Sequence, residues 1–326
     1  MKCLVFLLVG LFLIAGPAAA QTRELVMANI NPPNHGTTLA GDQFAEKVGE
    51  LTQGKVKVIH HHSGTLGNER QEAQQLLLGT LDVSAITSAP LSTVVPELSA
   101  LQLPYLFRDY QHVYKVLDES DVVRGYYDEV LFKRGFKLLG FFASGYRGIY
   151  GSLPINSVAD IKGKKIRTME DKVIVSTFKA LGMLPTAIAM AEVATSLQTG
   201  VVEFAEGGVN TFYHLKYYDI VKNVADVRHI HNVICLVMSK ISWAKQDAAT
   251  QKALLEAGKF AEKFNRKFIL DEDRDFQDQI KAKGVKITKP DATPFREATK
   301  SVYDEYFATP AGKDAKKVVD YIVSVK

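Results

Sequence analysis

Cysteine is almost absent from this chain: two occur in 326 residues, Cys3 and Cys235. The first of them sits in an N-terminal stretch that begins with Lys2, runs apolar from Cys3 to Ile14 and ends in GPAAA. Ala18 and Ala20 satisfy the small-residue rule for cleavage before Gln21, so residues 1–20 read as a secretory signal peptide. A membrane anchor needs roughly twenty apolar residues. This run is shorter and is broken by Gly16-Pro17. Cys3 precedes the apolar region and is not placed for lipid attachment. Cleavage leaves Cys235 alone, which excludes an internal disulfide even in an exporting compartment. Core burial has to stabilise the fold, and Cys235, inside VICLVM, reads as a buried thiol rather than a nucleophile.

Other absences narrow the function. The formal charge of +4 includes Lys2, and the charges are mixed along the chain, with no basic block and no aromatic-interleaved basic patch. Nucleic acid is therefore excluded as an expected partner. No GxxxxGK[ST], GxSxG, HExxH or CxxC is found, which removes the sequence support for phosphate-loop, serine-hydrolase and common zinc-protease chemistry. No cofactor is called for. Internal repeats and low-complexity linkers are missing as well.

What is present alternates between β and α periodicity. ELVMANI (24–30), KVKVI (55–59) and LDVSAIT (81–87) read as strands, with helical spacing over 41–51 and 69–78 between them. The rhythm returns with KLLGFF (137–142), KKIR (164–167), a helix over 172–181, PTAIAM, a helix over 192–198 and VVEFAE (201–206). Alternating units of this kind predict an α/β sheet. A chain this long exceeds one ordinary core, so two lobes are expected. Asp247 to Gly284 lacks proline and repeats Leu254, Ala257, Ala261, Phe264 and Phe268 at helical spacing, as a long bridging helix or a broken pair would. More than one chain crossing between the lobes is expected, an arrangement that suits a hinge.

Two arginines stand out as candidate anion ligands. Ser157 and Asp160 form a capping signature, Gly163 stops that short helix, KKIR follows as a strand, and Asp171 caps the next helix. Arg167 thus lies at the carboxyl end of a strand, where open α/β sheets bind ligands. A guanidinium there offers a planar two-pronged donor to a carboxylate, which a lysine cannot. Arg147, in SGYRGIYGS, has glycines nearby that allow close approach. The competing reading of both is a structural salt bridge. His60, His61 and His62 are consecutive, and His229 and His231 alternate along a strand. They carry the alternative of a zinc-binding or sensory protein, although no carboxylate or thiol completes a ligand spacing. The plainer reading is a polar strand end and a half-exposed strand.

Several ordered motifs resemble one family. GYRGIYGSLPINSVADIKGKKIRTMED and FKALGMLPTAIAMAEVATSLQTGVVEFAEG look like the solute-binding proteins of tripartite ATP-independent periplasmic (TRAP) transporters, the DctP type. FAEKVGELTQGKVKV, SGTLGNERQEAQQLLLGTLDVS, LPYLFRD and GVKITKPDATPFRE extend the likeness through nearly all of the mature chain. The resemblance implies a two-lobed periplasmic binding protein with a long helix across both lobes, not an enzyme. Such a protein closes around a small organic acid and delivers it to the small and large membrane subunits of the transporter. The expected division is 21–143 with about 235–272 in one lobe and 144–234 with about 273–326 in the other.

By the same resemblance Arg167 makes the paired contact to the ligand carboxylate and Arg147 supports it. Asn31, Glu69, Thr87 and Ser88 supply contacts from three loops. Gly207 and Thr87 stand where relatives carry polar or acidic residues, and Met190 where an aromatic is frequent. These departures argue against a highly hydroxylated sugar acid. Met169, Met190, Phe142 and Phe212 either line an apolar pocket or are ordinary core residues, and Glu170 and Glu206 either accept from a ligand hydroxyl or amine or cap helices and face solvent. The expected ligand is a carboxylate with an apolar or aromatic body, or a C4-dicarboxylate or 2-oxo acid; a sugar acid is the alternative within the family.

Overall fold

The structure, a computed structural model, describes residues 22–326, leaving aside the side chains of residues 273 and 274. The expected signal peptide lies outside the described residues. Strands β1 (Arg23–Ala28), β2 (Val56–His61), β3 (Val83–Thr87), β4 (Phe136–Gly151), β5 (Lys165–Thr168), β6 (Leu184–Ala187), β7 (Phe204–Gly208), β8 (Asn223–Ser239) and β9 (Lys286–Thr288) form one sheet. Its order is β2-β1-β3-β8-β4-β7-β5-β6, with β9 beside β8. Pairings of β1 with β2 and β3, and of β5 with β6 and β7, are parallel.

Two lobes arise because β4 and β8 are too long for one. The C-terminal half of β8 pairs with β3, and the N-terminal half of β4 runs beside it. The C-terminal half of β4 pairs with β7, and the start of β8 pairs with β9. Their mutual register slips between Ala143 and Tyr146 and again between Arg147 and Ile149. Such bulges bend and twist a strand pair, and here they lie where the first lobe gives way to the second. Gly145 takes a positive φ of 74° at this bend, a conformation that costs glycine nothing.

The first lobe packs on both sheet faces. Along β8, Val233, Cys235 and Val237 join one core while Ile234, Leu236 and Met238 join the other, as a two-residue period requires. The helix Ala248–Ala282 is unbroken. Leu254, Ala257 and Ala261 bury against the first lobe and Phe276 and Ile280 against the second, so it spans both.

One expected boundary needs correction. Residues 273–326 were assigned to the second lobe, but the helices Ser301–Ala308 and Pro310–Ser324 pack into the first. Their stripe of Val302, Tyr306, Val318, Val319 and Ile322 shares a core with Leu98, Val113 and Tyr127. Phe276, Ile280 and Phe295 do pack with the second lobe.

Candidate ligand-binding cleft

Local chemistry delivers each wall of the cleft. Asn68 caps the helix Glu69–Leu78 through a reciprocal box with Gln71, which sets Glu69 at its first turn. Asp171 accepts from the backbone N–H groups of Val173 and Ile174, stopping β5 and starting the helix Lys172–Ala180. That leaves Arg167 near the carboxyl end of β5, beside Met169 and Glu170. Together with residues of β4, β7 and the loop before the first helix, these surround a cleft of about 550 Å³ between the lobes.

Its walls are unlike one another. The first lobe presents Asn31, Ser63, Asn68, Glu69, Gln71 and Asn232. The second presents Arg147 and Arg167, and around them Met169, Ile188, Met190, Leu215 and two tyrosines, Tyr150 and Tyr217. The cationic end is built on a buried carboxylate. Arg147 Nε donates to Glu206 Oε2, and Arg147 Nη2 donates to the Glu206 carbonyl at 3.0 Å. Glu206 Oε1 accepts from the Met169 N–H at 3.1 Å. Burial works against this charge, but the guanidinium of Arg147, His229 at 3.7 Å and Arg167 outweigh it and hold the carboxyl well below the usual carboxylate range.

Arg167 is fixed differently. Its Nε donates to the Ile188 carbonyl at 2.7 Å, and its Nη1 reaches the Glu206 carbonyl at 3.5 Å. Among the described residues no hydrogen bond takes the remaining donors, Arg167 Nη2 and Arg147 Nη1. Glu206 is ion-paired with Arg147, whereas the hydrogen bonds of Arg167 go to backbone carbonyls. Opposite, Glu69 Oε1 accepts from the Thr87 N–H at 2.7 Å. Burial pushes the Glu69 carboxyl above its ordinary range, against the pull of Thr87 and the two arginines.

A family model described as "Bacterial extracellular solute-binding protein, family 7", DctP, matches residues 27–309. The chain belongs to this family. Among curated proteins, this DctP-family chain is 30% identical over 263 residues to the sialic acid-binding periplasmic protein SiaP of Vibrio cholerae, covering 81% of the chain and 82% of SiaP. A TRAP periplasmic solute-binding protein of Sulfitobacter sp. with bound β-D-galacturonate superposes with a TM-score of 0.88 at 27% identity, over 93% of this chain and 100% of the other. Another, from Sulfurospirillum deleyianum with bound succinate, gives a TM-score of 0.86 at 28% identity, over 93% and 99%. The chain is thus a TRAP-type solute-binding protein with the two-lobed α/β fold, and the family binds rather than transforms its solutes.

Of the residues singled out from sequence, Arg167, Arg147, Asn31, Glu69, Thr87, Met169, Glu170, Met190 and Gly207 all line the cleft. Three do not. Ser88 is fully buried, donating to the Val233 carbonyl at 2.8 Å and accepting from Gln102 at 2.7 Å. Phe142 points to the sheet face covered by Phe44 and Leu254, because strand alternation turns it there. Phe212 packs in the second lobe, edge-on to Tyr150 at 5.1 Å between ring centroids. Glu206 lines the cleft, though not as a solvated acceptor: it is the buried partner of Arg147, so both readings of Arg147 hold together. Tyr150, Tyr217, Ser144 and Asn232 were missed. Ser144 and Tyr150 flank Arg147 inside SGYRGIYGS, whereas Tyr217 and Asn232 lie far from it in sequence and no local motif marks them.

The histidines also resolve. His60 is held by Asp42 at 2.7 Å and Asn29 at 2.9 Å. His229 and His231 are buried rather than half-exposed, because the long β8 is covered on both faces where it passes between lobes. Among the described residues no group of three or more histidine, cysteine, aspartate or glutamate side chains is placed to hold a metal ion.

Proposed function

We propose that this DctP-family protein, exported by its cleaved signal peptide, captures a small organic monocarboxylate in the periplasm. It then presents the acid to the small and large membrane subunits of a TRAP transporter. The observation that carries the reading is the pair of guanidinium groups, Arg147 and Arg167, that line one cleft while Glu206 is ion-paired with Arg147 and the hydrogen bonds of Arg167 go to backbone carbonyls. A buried cation is costly unless it is paired, and a ligand carboxylate supplies a partner for Arg167. The galacturonate and succinate held by the two solved neighbours are themselves carboxylates.

The body of the acid is apolar on one side. Ile188, Met190 and Leu215 offer nothing for a row of hydroxyls to bond, whereas they suit an aliphatic or aromatic chain. Glu69 argues against a second carboxylate at the far end, since two like charges in a closed cleft repel. It fits a hydrogen-bond donor on the ligand. Upon closure the lobes bury the acid, and Arg167 gives it a charge-assisted bond.

Native mass spectrometry of the purified protein, then a thermal-shift panel of mono-, di- and aromatic carboxylates and sugar acids, tests this reading. A ligand that binds only the folded state raises its melting temperature with concentration. Arg167→Ala is expected to cost about 3 to 5 kcal/mol of binding, because the ligand charge is left buried and unpaired. Unchanged carboxylate affinity in that variant overturns the proposal.

A further inference from the structure

Two histidines from opposite lobes meet at the margin of the cleft. His35 precedes the first helix, Gly36–Leu51, which packs in the first lobe, and His214 ends the helix Val209–His214 of the second. Their ring centroids stand 5.6 Å apart. Gly36 lets the first helix start against the long one, since a Cβ there would stand 2.8 Å from Phe268 Cδ1. Asn31 and Pro32, just before His35, line the cleft, and so do Leu215 and Tyr217, just after His214. Movement of one lobe on the other therefore acts directly on this pair.

Each ring has one nitrogen already committed. His35 is 1% exposed, and its Nδ1 caps the first helix by accepting the Thr37 N–H at 3.2 Å. A neutral imidazole that accepts at one nitrogen carries its proton on the other. His35 Nε2 is thus a buried donor, and among the described residues it has no hydrogen-bond partner. Burial holds the His35 pKa down at about 3, with the neighbouring His214 adding to the effect, so this ring stays neutral. His214 Nε2 donates to Glu272 Oε1 of the long helix at 3.4 Å, which leaves Nδ1 of a neutral His214 as an acceptor.

The titratable side chains that face His214 are His35, Tyr213 and Glu272, whose carboxyl is pushed above its ordinary range by burial against the pull of His214. Phe276 packs edge-on at 5.0 Å, and Lys216, Asp271 and Asp275 are exposed.

We propose that lobe closure seats the His35 Nε2–H on His214 Nδ1, completing a relay from Thr37 through both rings to Glu272 that latches the closed lobes and is released when His214 takes a proton. This rests on the reading above, in which the lobes close on a solute. The relay has one polarity, since each ring accepts at Nδ1 and donates at Nε2. A protonated His214 is a donor at both nitrogens and meets the His35 donor with one of its own. Its contact with Glu272 is already formed and survives protonation, so the proton acts on the link between lobes. Histidine changes charge between about pH 5 and 8. The latch therefore holds at neutral pH and opens toward acid, and apparent affinity follows the fraction of protein able to close.

The test titrates D-galacturonate and 4-methylpentanoate calorimetrically, at about pH 7.5 and about pH 5.5, into the wild type, His214→Gln and His35→Asn. Gln at 214 has a donor for Glu272 and an acceptor for His35 but takes no proton, and Asn at 35 keeps the cap without reaching His214. Comparison with His214→Gln also removes any titration of the acid itself. For either acid that binds, wild type is expected to match His214→Gln at the higher pH and to bind about three- to tenfold more weakly than it at the lower, the worth of one hydrogen bond. His35→Asn shows the weaker binding at both. Nitrogen–proton correlation spectra of the wild-type imidazoles at the higher pH are expected to place the proton on Nε2 of both rings. Equal pH dependence in wild type and His214→Gln overturns the latch and moves the proton to another group, as does a neutral His214 protonated at Nδ1. If neither acid binds, the carboxylate reading loses support while the spectra still decide the relay.

Discussion

Arg147 on β4 and Glu206 on β7 form a buried ion pair at the cleft wall, with side chains 5% and 0% exposed. The register sets Ile149 opposite Glu206 and Arg147 opposite Gly208. The guanidinium therefore reaches diagonally along one sheet face. The pair does two things at once. It satisfies a carboxylate that also accepts the Met169 N–H, and it aims a second guanidinium edge into the cleft.

Removing the carboxylate should be expensive. Glu206→Gln is expected to destabilise the fold by about 3 to 5 kcal/mol, since Arg147 is left as an uncompensated buried charge. Urea unfolding at neutral pH measures this. The pH dependence has a defined sign: the folded carboxyl titrates below its unfolded counterpart, near 4.3 in an unfolded chain. Its contribution is present above about pH 4.3 and is lost as pH falls through the lower folded value. Glu206→Gln should flatten that part of the acid limb.

Glu72 has the opposite sign. It is buried, accepts from the Ser84 hydroxyl at 2.7 Å, and is pushed up to about 8 by burial, with the charge of Glu69 adding to the effect. An unfolded glutamate releases its proton near pH 4.3, so stability falls across the window from about 4.3 to about 8 as the unfolded chain gains charge and the folded one does not. Glu72→Gln should be more stable than wild type at pH 8 and close to it at pH 4. A difference in melting temperature that does not grow between those two values contradicts this account.

Asp171 ties the lobes together. Its Oδ1 accepts from Val173 and Ile174 in the second lobe, and its Oδ2 accepts from the hydroxyls of Ser92 at 2.7 Å and Ser99 at 2.6 Å in the first. Asp171→Ala removes a helix cap and takes away the carboxylate that the Ser99 hydroxyl donates to, while Ser92 keeps the Ala89 carbonyl at 2.6 Å, an expected loss of about 2 to 3 kcal/mol. Asp171→Asn, which keeps an acceptor for the cap, should recover part of it. Chemical denaturation of the three proteins distinguishes these outcomes.

Much of this molecule was legible locally. Apart from β4, expected over 137–142 and running on to Gly151, the strand and helix periods, the Ser157 and Asp171 caps and the proline-free run of the long helix predict their elements to within a few residues. The reason is that capping and amphipathic burial are satisfied within a turn or two of the chain. Arg167 was found the same way, because a strand end followed by a helix cap is a sequence-local event.

Relationships between distant segments were not legible. Nothing in the order of residues says that Ser88, Phe142 and Phe212 turn into cores while Tyr150 turns toward the cleft, since strand alternation and long-range pairing decide the facing. Nor does it say that helices 301–324 cross back to the first lobe, where an apolar face was open to receive them. The sequence by itself determined the alternation of elements and an arginine at the mouth of a strand. Only the tertiary structure set Glu206 beneath Arg147 and Tyr150 over Gly207, because both pairs meet across strands some sixty residues apart and exist only when the sheet closes.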